Sequence, residues 1–386
     1  MERVPFLDMT SVHQEIRADL DQAVSNVVDS AQFLYGPPVQ QFEEEFAEFV
    51  GAKHAVSVGS GLAALTLTLR AWGIGPGDEV IVPANTFIAT FLAVSAVGAV
   101  VVPVDPDPST YNLDASTLRK AIGLRTRVVI PVHLYGQPCD LESIGAVARA
   151  HGLKILQDAA QAHGARYRQN PLGVYGDAAA FSFYPAKNLG AFGDAGAVVT
   201  NDGDLATILR KLRNYGSEVK YVHQIQGENS RMSTLNAAVL RVKLRRLESW
   251  NHRRGEIALH YQQGLRGVDL PIWPPQSEPS WHLYVVQSPH RNQLLQYLQD
   301  LGIEAMVHYP IPPHRQAAYQ NLAMPWGSLP VTEQLSRQVL SLPMGPHLSD
   351  EQVERVIETV NVGVRRLGVK AMRGGWQNGR NRRQTI

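Results

Sequence analysis

A lysine and an aspartate, Lys187 and Asp158, each stand where a short apolar run passes into a loop. Lys187 lies in SFYPAKNLG (residues 182–190) and Asp158 in KILQDAAQAHG (residues 154–164). A lysine amine in apolar surroundings has a lowered pKa and attacks carbonyl carbons. A buried carboxylate needs a cationic partner, and a protonated ring nitrogen is one. The pair therefore suits pyridoxal 5′-phosphate (PLP): Lys187 would form a Schiff base with its aldehyde, and Asp158 would keep its pyridine nitrogen protonated.

Each of these residues also has an ordinary structural explanation. Lysine is most often a surface residue, and Asp158 could pair with an arginine elsewhere in the fold. The surroundings of Lys187 favour the catalytic interpretation, because Tyr184 precedes a proline and must approach in a non-helical conformation. Ser182 adds a hydroxyl that could bind phosphate.

Residues 59–65 (GSGLAAL) follow an apolar run and open a helical pattern. Small residues let backbone N–H groups approach an anion there, and the dipole of the helix favours negative charge at its N-terminus. A tight strand-to-helix turn without any ligand explains the same motif, and both explanations stay open for this motif alone.

Three further side chains could complete a cofactor site. Phe87 follows an apolar run, and its ring could stack on a pyridine face, although core packing is the role expected from the sequence alone. Gln161 lies three residues after Asp158, within reach of the cofactor's phenolic oxygen. His163 could line the same site or be a structural histidine with satisfied hydrogen bonds.

Short apolar runs alternate with longer helical patterns through the first two-thirds of the chain. Strands are predicted at 55–58, 79–82, 100–104, 128–132, 155–157, 179–183 and 197–200. Helices are predicted at 39–50, 62–72, 86–97, 116–122, 141–150 and 204–213. This alternation, with strands of nearly unbroken apolar residues, predicts an α/β fold whose mostly parallel sheet is covered on both faces.

The last third predicts a smaller α+β unit. One long helix is expected at 235–263, followed by a strand at 282–287 and helices at 292–301 and 350–367. We therefore divide the chain into a large PLP-binding α/β domain with an N-terminal arm (1–250), a small C-terminal α+β domain (251–370) and a polar, basic tail (371–386). The tail is expected to be disordered.

Composition sets wide limits on function. The 386 residues are 44% hydrophobic and 18% charged with a formal net charge of +1, so no global field favours nucleic acid or a membrane surface. Cys139 is the single cysteine, which excludes an intrachain disulfide and argues against a thiolate metal site; no metal is expected. Neither a signal sequence nor an apolar stretch of roughly 20 residues is present. A cytoplasmic enzyme is expected.

The motifs resemble those of the DegT-type sugar aminotransferases, a branch of the fold-type I PLP enzymes. The resemblance extends from about Val4 to Leu367 and is densest at residues 59–65, 83–90, 157–164, 182–190, 213–216 and 227–232. Segments 82–87, 110–114 and 303–314 are similar to family members that act on nucleotide-linked 3-keto-6-deoxyhexoses.

The resemblance implies a role for each candidate residue. Lys187 would be the Schiff-base lysine and later the proton shuttle, with Asp158 on the pyridine nitrogen, Gln161 on the ring oxygen and Phe87 stacked on the ring. Implied phosphate ligands are Ser60, Gly61, Leu62 (through its backbone), Ser182 and Asn229. Asn229 would reach the phosphate of a neighbouring subunit, which implies a homodimer with shared active sites. Implied neighbours of the nucleotide-sugar are Tyr184, Lys220, Tyr221, His308 and Tyr309.

The implied reaction is transamination of a nucleotide-linked 3-keto-6-deoxyhexose to a 3-amino sugar, with dTDP as the expected nucleotide and L-glutamate as amino donor. Open alternatives are a 4-keto-sugar or cyclitol aminotransferase and a PLP-binding regulatory protein without turnover. Lys187 argues against a sugar 3-dehydratase, since that branch has histidine there. The chain departs from common family patterns at Ser233 and Asn236, where relatives often have Asp and Gln, and at Leu62, where many have Thr.

Overall fold

The computed structural model of the chain describes residues 3–378. The helices are α1 (Met9–Glu15), α2 (Arg17–Ser30), α3 (Pro37–Phe49), α4 (Gly61–Ala71), α5 (Ile88–Ala96), α6 (Ala115–Ala121), α7 (Leu141–Ala150), α8 (Gly203–Leu212), α9 (Thr234–Leu244), α10 (Leu247–Gly264), α11 (Arg291–Asp300), α12 (Pro330–Gln338) and α13 (Asp350–Asn378). The strands are β1 (His54–Val58), β2 (Glu79–Pro83), β3 (Val100–Val104), β4 (Thr126–Val129), β5 (Lys154–Asp158), β6 (Arg166–Tyr167), β7 (Asn170–Pro171), β8 (Ala178–Ser182), β9 (Gly196–Thr200), β10 (Ser217–Val219), β11 (Val222–His223), β12 (Ser277–Glu278), β13 (Tyr284–Gln287) and β14 (Val339–Leu342).

The central sheet has seven strands in the order β1-β9-β8-β5-β4-β2-β3. Strands β8, β5, β4, β2 and β3 pair in parallel, and β9 is antiparallel to both β1 and β8. These are the seven strands predicted from the sequence, with ends that differ by at most three residues. The predicted α/β fold with a mostly parallel sheet is confirmed.

Both faces of this sheet are covered by helices. Successive side chains of a strand point to opposite faces, so Ile155 of β5 packs in one core with α3, α6 and α7 while Leu156 packs in another with α4, α5 and α8. Val198 and Val199 of β9 divide between the same two cores. Burial on both faces explains why these strands read as continuous apolar runs.

The candidate site residues follow strands that end at one edge of the sheet. Asp158 ends β5, Ser182 ends β8 and is followed by the Lys187 loop, Phe87 follows β2, and Ser60 follows β1. Since β9 is antiparallel to both β1 and β8, β1 points the same way as the parallel strands. All four connections therefore leave from the carboxyl ends, where open α/β sheets bind ligands.

A second core brings together α10, α11, α13, β13 and β14. Val4 is fully buried in it and forms a parallel bridge with Ile303. The predicted boundary after residue 250 falls inside α10, because Leu247 packs in the core under the sheet and Ile257 packs in the second core. The exact division into domains stays a prediction.

The single helix predicted at 235–263 is wrong, because the chain forms α9 and α10 with a break at Arg245–Arg246. Leu240, Leu244 and Leu247 pack in one core across that break, so apolar spacing did not reveal it. Of the predicted disordered tail, residues 371–378 belong to α13, and 379–386 lie outside the described residues. Within residues 3–378, every helix is too short or too polar to span a bilayer.

A buried ion pair joins α3, β1 and the end of α8. Arg213 Nη1 donates to the carboxylate of Glu43 and to the Ser57 carbonyl at 2.7 Å. The Ser57 amide and hydroxyl also donate to Glu43, at 2.9 and 2.7 Å. The ion-paired side chains are only 10% and 12% exposed. This contact fixes β1 immediately before the turn at residues 59–65.

Replacing Glu43 with alanine should destabilise the fold, because Arg213 would remain buried without a carboxylate. We expect a loss of about 3–5 kcal/mol in the free energy of unfolding, measured by urea denaturation. Glu44→Ala is the matched control: Glu44 is exposed on the same helix, and its loss should stay within about 0.5 kcal/mol. Equal losses for the two variants would contradict this account.

Candidate active site

Asp158 is a buried carboxylate without a cation of its own. It is 7% exposed; its Oδ2 accepts a hydrogen bond from Thr90 Oγ1 at 2.9 Å, and its Oδ1 accepts one from the Ala160 amide at 3.2 Å. Burial raises the pKa of the carboxyl, and the two hydrogen bonds and the charge of Lys187 oppose that rise. The ion pairs among residues 3–378 do not include Asp158, so the arginine partner considered above is absent from them. The carboxylate is left able to accept a cationic ring nitrogen.

Lys187 lies in a tight loop between β8 and β9. Its amide donates to the Tyr184 carbonyl at 2.9 Å, and the loop folds back so closely that a Cβ at Gly190 would lie 2.1 Å from the Pro185 carbonyl oxygen. Burial lowers the pKa of Lys187 to about 8, and the charge of Asp158 opposes this shift. The neutral, nucleophilic fraction of this amine near neutral pH is therefore larger than that of an ordinary lysine, although the protonated form still predominates at pH 7.

The turn after β1 meets the end of β8. Ser60 caps α4 by accepting a hydrogen bond from the Ala63 amide at 3.1 Å. A Cβ at Gly61 would lie 2.6 Å from Ser182 Cβ, so the contact requires glycine. Ser60, Gly61, Leu62 and Ser182 thus come together at the N-terminus of an eleven-residue helix, where backbone N–H groups can bind an anion. Their role as phosphate ligands stays a prediction.

Phe87 is 53% exposed, so the core packing expected from the sequence alone is wrong. Its ring centroid lies 5.5 Å from that of Tyr309, with the planes tilted by 39°. Gln161 Nε2 donates to the Tyr309 hydroxyl at 3.2 Å, and Gln161 Oε1 accepts from the Tyr135 amide at 2.6 Å. These contacts place Tyr309 between Phe87 and Gln161 and hold the Gln161 amide in a defined orientation.

Three of the residues implied to contact the nucleotide-sugar lie near this site. His308 Nδ1 shares a hydrogen bond of 2.8 Å with Ser341 Oγ, and burial together with the charge of Lys187 lowers its pKa to about 4. The imidazole is therefore neutral at pH 7. Tyr184, three residues before Lys187, is 54% exposed. Substrate binding by His308, Tyr309 and Tyr184 stays a prediction.

The other implied contacts are not joined to the site within one chain. Lys220 and Tyr221 form the tip of the β10–β11 hairpin, where Tyr221 is 83% exposed and the Lys220 ammonium lies 5.0 Å from its ring centroid. Asn229 is exposed, and its backbone forms a bridge with Asn214. In the described part of the chain, these three residues have no hydrogen bond or ion pair to Asp158 or Lys187.

His163 is fully buried between the rings of Phe181 and Phe183, at centroid distances of 5.5 and 5.7 Å. Neither of its ring nitrogens has a hydrogen-bond partner of normal geometry among the described residues, and the Ser182 backbone is the polar group that acts on the ring. Whether His163 lines the site or has a structural role stays a prediction. Burial and the charge of Lys187 lower its pKa to about 3, which keeps the ring neutral.

Two contributors were missed from the sequence. Thr90 donates a hydrogen bond to Asp158. The sequence signal that could have identified Thr90 is its position four residues, about one helical turn, after Thr86, which precedes Phe87. The Nδ2 atom of Asn188, next to Lys187, donates to the Ser280 carbonyl at 2.7 Å. The Oδ1 atom of Asn188 forms a second hydrogen bond, of 3.1 Å, with Nδ1 of His282. Asn188 thus ties the lysine loop to the segment that leads into β13.

The arrangement fits a group with an aldehyde, a cationic ring nitrogen, a flat aromatic face and an anionic arm. Lys187 offers the amine, Asp158 an uncompensated buried carboxylate, Phe87 an exposed ring, and the Gly61–Ser182 contact a helix N-terminus open to an anion. PLP has all four features. Fold and site together indicate a fold-type I PLP-dependent enzyme.

Residues 14–361 match the DegT/DnrJ/EryC1/StrS aminotransferase family, and the chain belongs to that family. The chain is 51% identical to dTDP-3-amino-3,4,6-trideoxy-alpha-D-glucose transaminase of Streptomyces venezuelae over 95% of its own length and 97% of that protein. It is 47% identical to dTDP-3-amino-3,6-dideoxy-alpha-D-galactopyranose transaminase of Aneurinibacillus thermoaerophilus, over 93% and 99% of the two chains.

The fold agrees with solved members of the family. The crystal structure of S. venezuelae DesV in complex with a ketimine intermediate superposes with a TM-score of 0.93 at 51% identity, covering 94% of this chain and 99% of DesV. Similar solved structures include forms with PLP and with its aminated form, PMP. PLP is the cofactor of this enzyme.

The lowered pKa of Lys187 predicts how the protein without cofactor takes up PLP. Only the neutral amine attacks an aldehyde, so the capture rate should rise with pH and level off above about 8 rather than near 10.5, the ordinary value for lysine. Stopped-flow absorbance across this pH range measures the rate. The reaction of PLP with α-acetyl-lysine, run in parallel, corrects for the titration of PLP itself. A protein profile that follows the model amine up to high pH would contradict the burial of Lys187.

Proposed function

We propose that this enzyme transfers an amino group from L-glutamate to C3 of a dTDP-linked 3-keto-6-deoxyhexose and so forms a 3-amino sugar. The observation that carries the PLP chemistry is the buried Asp158 carboxylate, which forms no ion-pair contact among the described residues and interacts electrostatically with Lys187. The two relatives described above are named for 3-amino sugars of different configuration on the same nucleotide. Their agreement supports the 3-keto position and the dTDP group.

Each site residue has a proposed task. When bound, the cofactor supplies a carbonyl carbon that takes up the amino group and a ring that withdraws electrons. Lys187 Nζ moves the proton at C3 of the sugar, a general acid–base role that is typically worth about 10²–10⁴ in rate. Asp158 holds the ring nitrogen protonated, Phe87 covers one ring face, and Gln161 donates to the ring oxygen.

The residues around the mouth of the site are candidates to bind the sugar and its nucleotide. Tyr309 and His308 lie beside the cofactor site and are candidates to orient the keto-sugar, together with the exposed Tyr184. Lys220 offers a positive charge to the diphosphate, and Tyr221 a ring that stacks on flat groups. The cytoplasmic location expected from the sequence stays a prediction.

We infer a homodimer, in which the exposed side chains of Lys220, Tyr221 and Asn229 are available to the active site of the partner chain. We infer that Asn229 of each chain contacts the cofactor phosphate of the other. Ser230, next to it, is buried and accepts a hydrogen bond from the Gly59 amide of its own chain at 3.1 Å. Action of Asn229 within its own chain is therefore the alternative that the experiment must distinguish.

A panel of nucleotide-linked sugars tests the substrate. With L-glutamate present, the dTDP-linked 3-keto-6-deoxyhexoses should give the highest kcat/KM, and the matched 4-keto sugars and a keto-cyclitol should be poor substrates. One methylene or hydroxyl difference in a shaped pocket typically changes kcat/KM by about 10–200-fold. A preference for a 4-keto sugar or a cyclitol would replace the 3-keto proposal. Conversion of none of them, with no loss of the cofactor's absorbance on adding glutamate, would favour the regulatory alternative.

Mixed dimers test the shared site. A chain carrying Asn229→Ala, paired with a chain carrying Lys187→Ala, keeps one complete site if Asn229 acts across the interface. We expect this heterodimer to recover roughly half of the wild-type turnover, because one of its two equivalent sites is intact. Each homodimeric variant, prepared in the same way, is the control and should be impaired. A heterodimer no better than these controls would show that Asn229 acts within its own chain or not at all.

A further inference from the structure

The Asp158 carboxylate ends a chain of two hydroxyl groups that begins just before α5. Thr86 Oγ1 and Thr90 Oγ1 lie 2.8 Å apart, and Thr90 Oγ1 donates to Asp158 Oδ2 at 2.9 Å. Thr86, Thr90 and Asp158 are 2%, 0% and 7% exposed. Bulk water therefore competes little for these hydrogen bonds.

The direction of donation in this chain follows from the carboxylate. An ionised carboxylate only accepts hydrogen bonds, so the single hydroxyl proton of Thr90 is committed to Asp158. The Thr90 oxygen is then the acceptor for the proton of Thr86. A hydrogen bond to a charged acceptor is stronger than one between neutral groups, and successive donors polarise one another in a buried setting.

Among the described residues, no other side chain donates a hydrogen bond to the Asp158 carboxylate. The backbone amide of Ala160 serves the opposite oxygen, Oδ1, at 3.2 Å. The titratable groups that feel the Asp158 charge are Lys187, Tyr309 and Cys139. In the described structure, none of these three donates a hydrogen bond to the carboxylate, so Thr90 is the side chain that orients it.

We propose that Thr86 and Thr90 are positioning residues that keep Asp158 ionised and aimed at the ring nitrogen of PLP. The inference rests on the proposed role of Asp158. The turn that carries both hydroxyls also carries Phe87, so a single entry into α5 supplies the ring cover and the support for the carboxylate. Removing the Thr90 hydroxyl leaves the buried charge with one donor fewer, which favours the protonated acid and weakens its hold on the ring nitrogen.

The test is the ¹⁵N NMR shift of the ring nitrogen in enzyme loaded with ¹⁵N-labelled PLP, because that shift reports protonation of the nitrogen directly. The variants are Thr90→Val, which keeps shape but removes the hydroxyl, Thr90→Ser, which restores it, and Thr86→Val, which removes the outer hydroxyl. Asp158→Asn is the reference for complete loss. Thr68→Val is the matched control, since Thr68 is another fully buried helical threonine, whose hydroxyl bonds the Ala64 carbonyl at 2.8 Å.

We expect Thr90→Val to move the shift toward the unprotonated value, in the direction of Asp158→Asn but by less, and Thr86→Val to move it less again. Thr90→Ser and Thr68→Val should match the wild type. The kcat of Thr90→Val should fall by about 10–100-fold with little change in KM for the sugar.

The possible results distinguish the role of the two threonine hydroxyls from the role of Asp158. A wild-type shift for Thr90→Val beside a changed one for Asp158→Asn overturns the hydroxyl chain and leaves the role of Asp158 intact. A wild-type shift for Asp158→Asn overturns both. Should Thr90→Val not fold, Thr90→Ala and Thr86→Val decide, and wild-type shifts for both of them overturn the proposal.

Discussion

The site is built around one electrostatic constraint: a carboxylate in the interior that makes no ion-pair contact with the charged side chains among the described residues. Asp158 is buried at the end of β5, and the fold gives it a threonine hydroxyl and a backbone amide but no ion-pair partner among the described residues. Such a group is costly to bury alone. Binding a protonated pyridine nitrogen relieves that cost, so the energetic penalty in the protein becomes affinity for the cofactor.

The pKa of Lys187 depends on the same buried environment. Burial pulls the pKa of Lys187 down to about 8 while the charge of Asp158 pulls it up. Burial also keeps His163 and His308 neutral close to Lys187. The histidines therefore add no charge that would compete with the pair. A lysine whose pKa is lowered toward neutrality suits proton transfer near neutral pH.

Close approaches between backbone segments hold these groups in position. Gly61 lets the start of α4 touch Ser182, and Gly190 lets the lysine loop fold back on Pro185. Asn188 ties that loop to the segment before β13, and Gln161 joins Tyr309 to the end of β5. Segments that follow α10 thus contact the site that the sheet builds.

Much of this could be predicted from the sequence. Apolar runs buried on both faces define the seven strands, and the residue types at 158 and 187 name the chemistry, because local pattern and side-chain chemistry are properties of short segments. Three things depended on the tertiary structure. The role of Thr90 depends on its contact with Asp158 at the end of β5, and the exposure of Phe87 depends on how the segments around it pack. The break between α9 and α10 is visible only in the backbone, because the three leucines that span it pack in one core. Contacts between segments far apart in the chain leave no periodic signal, so the support of the carboxylate was decided by the fold.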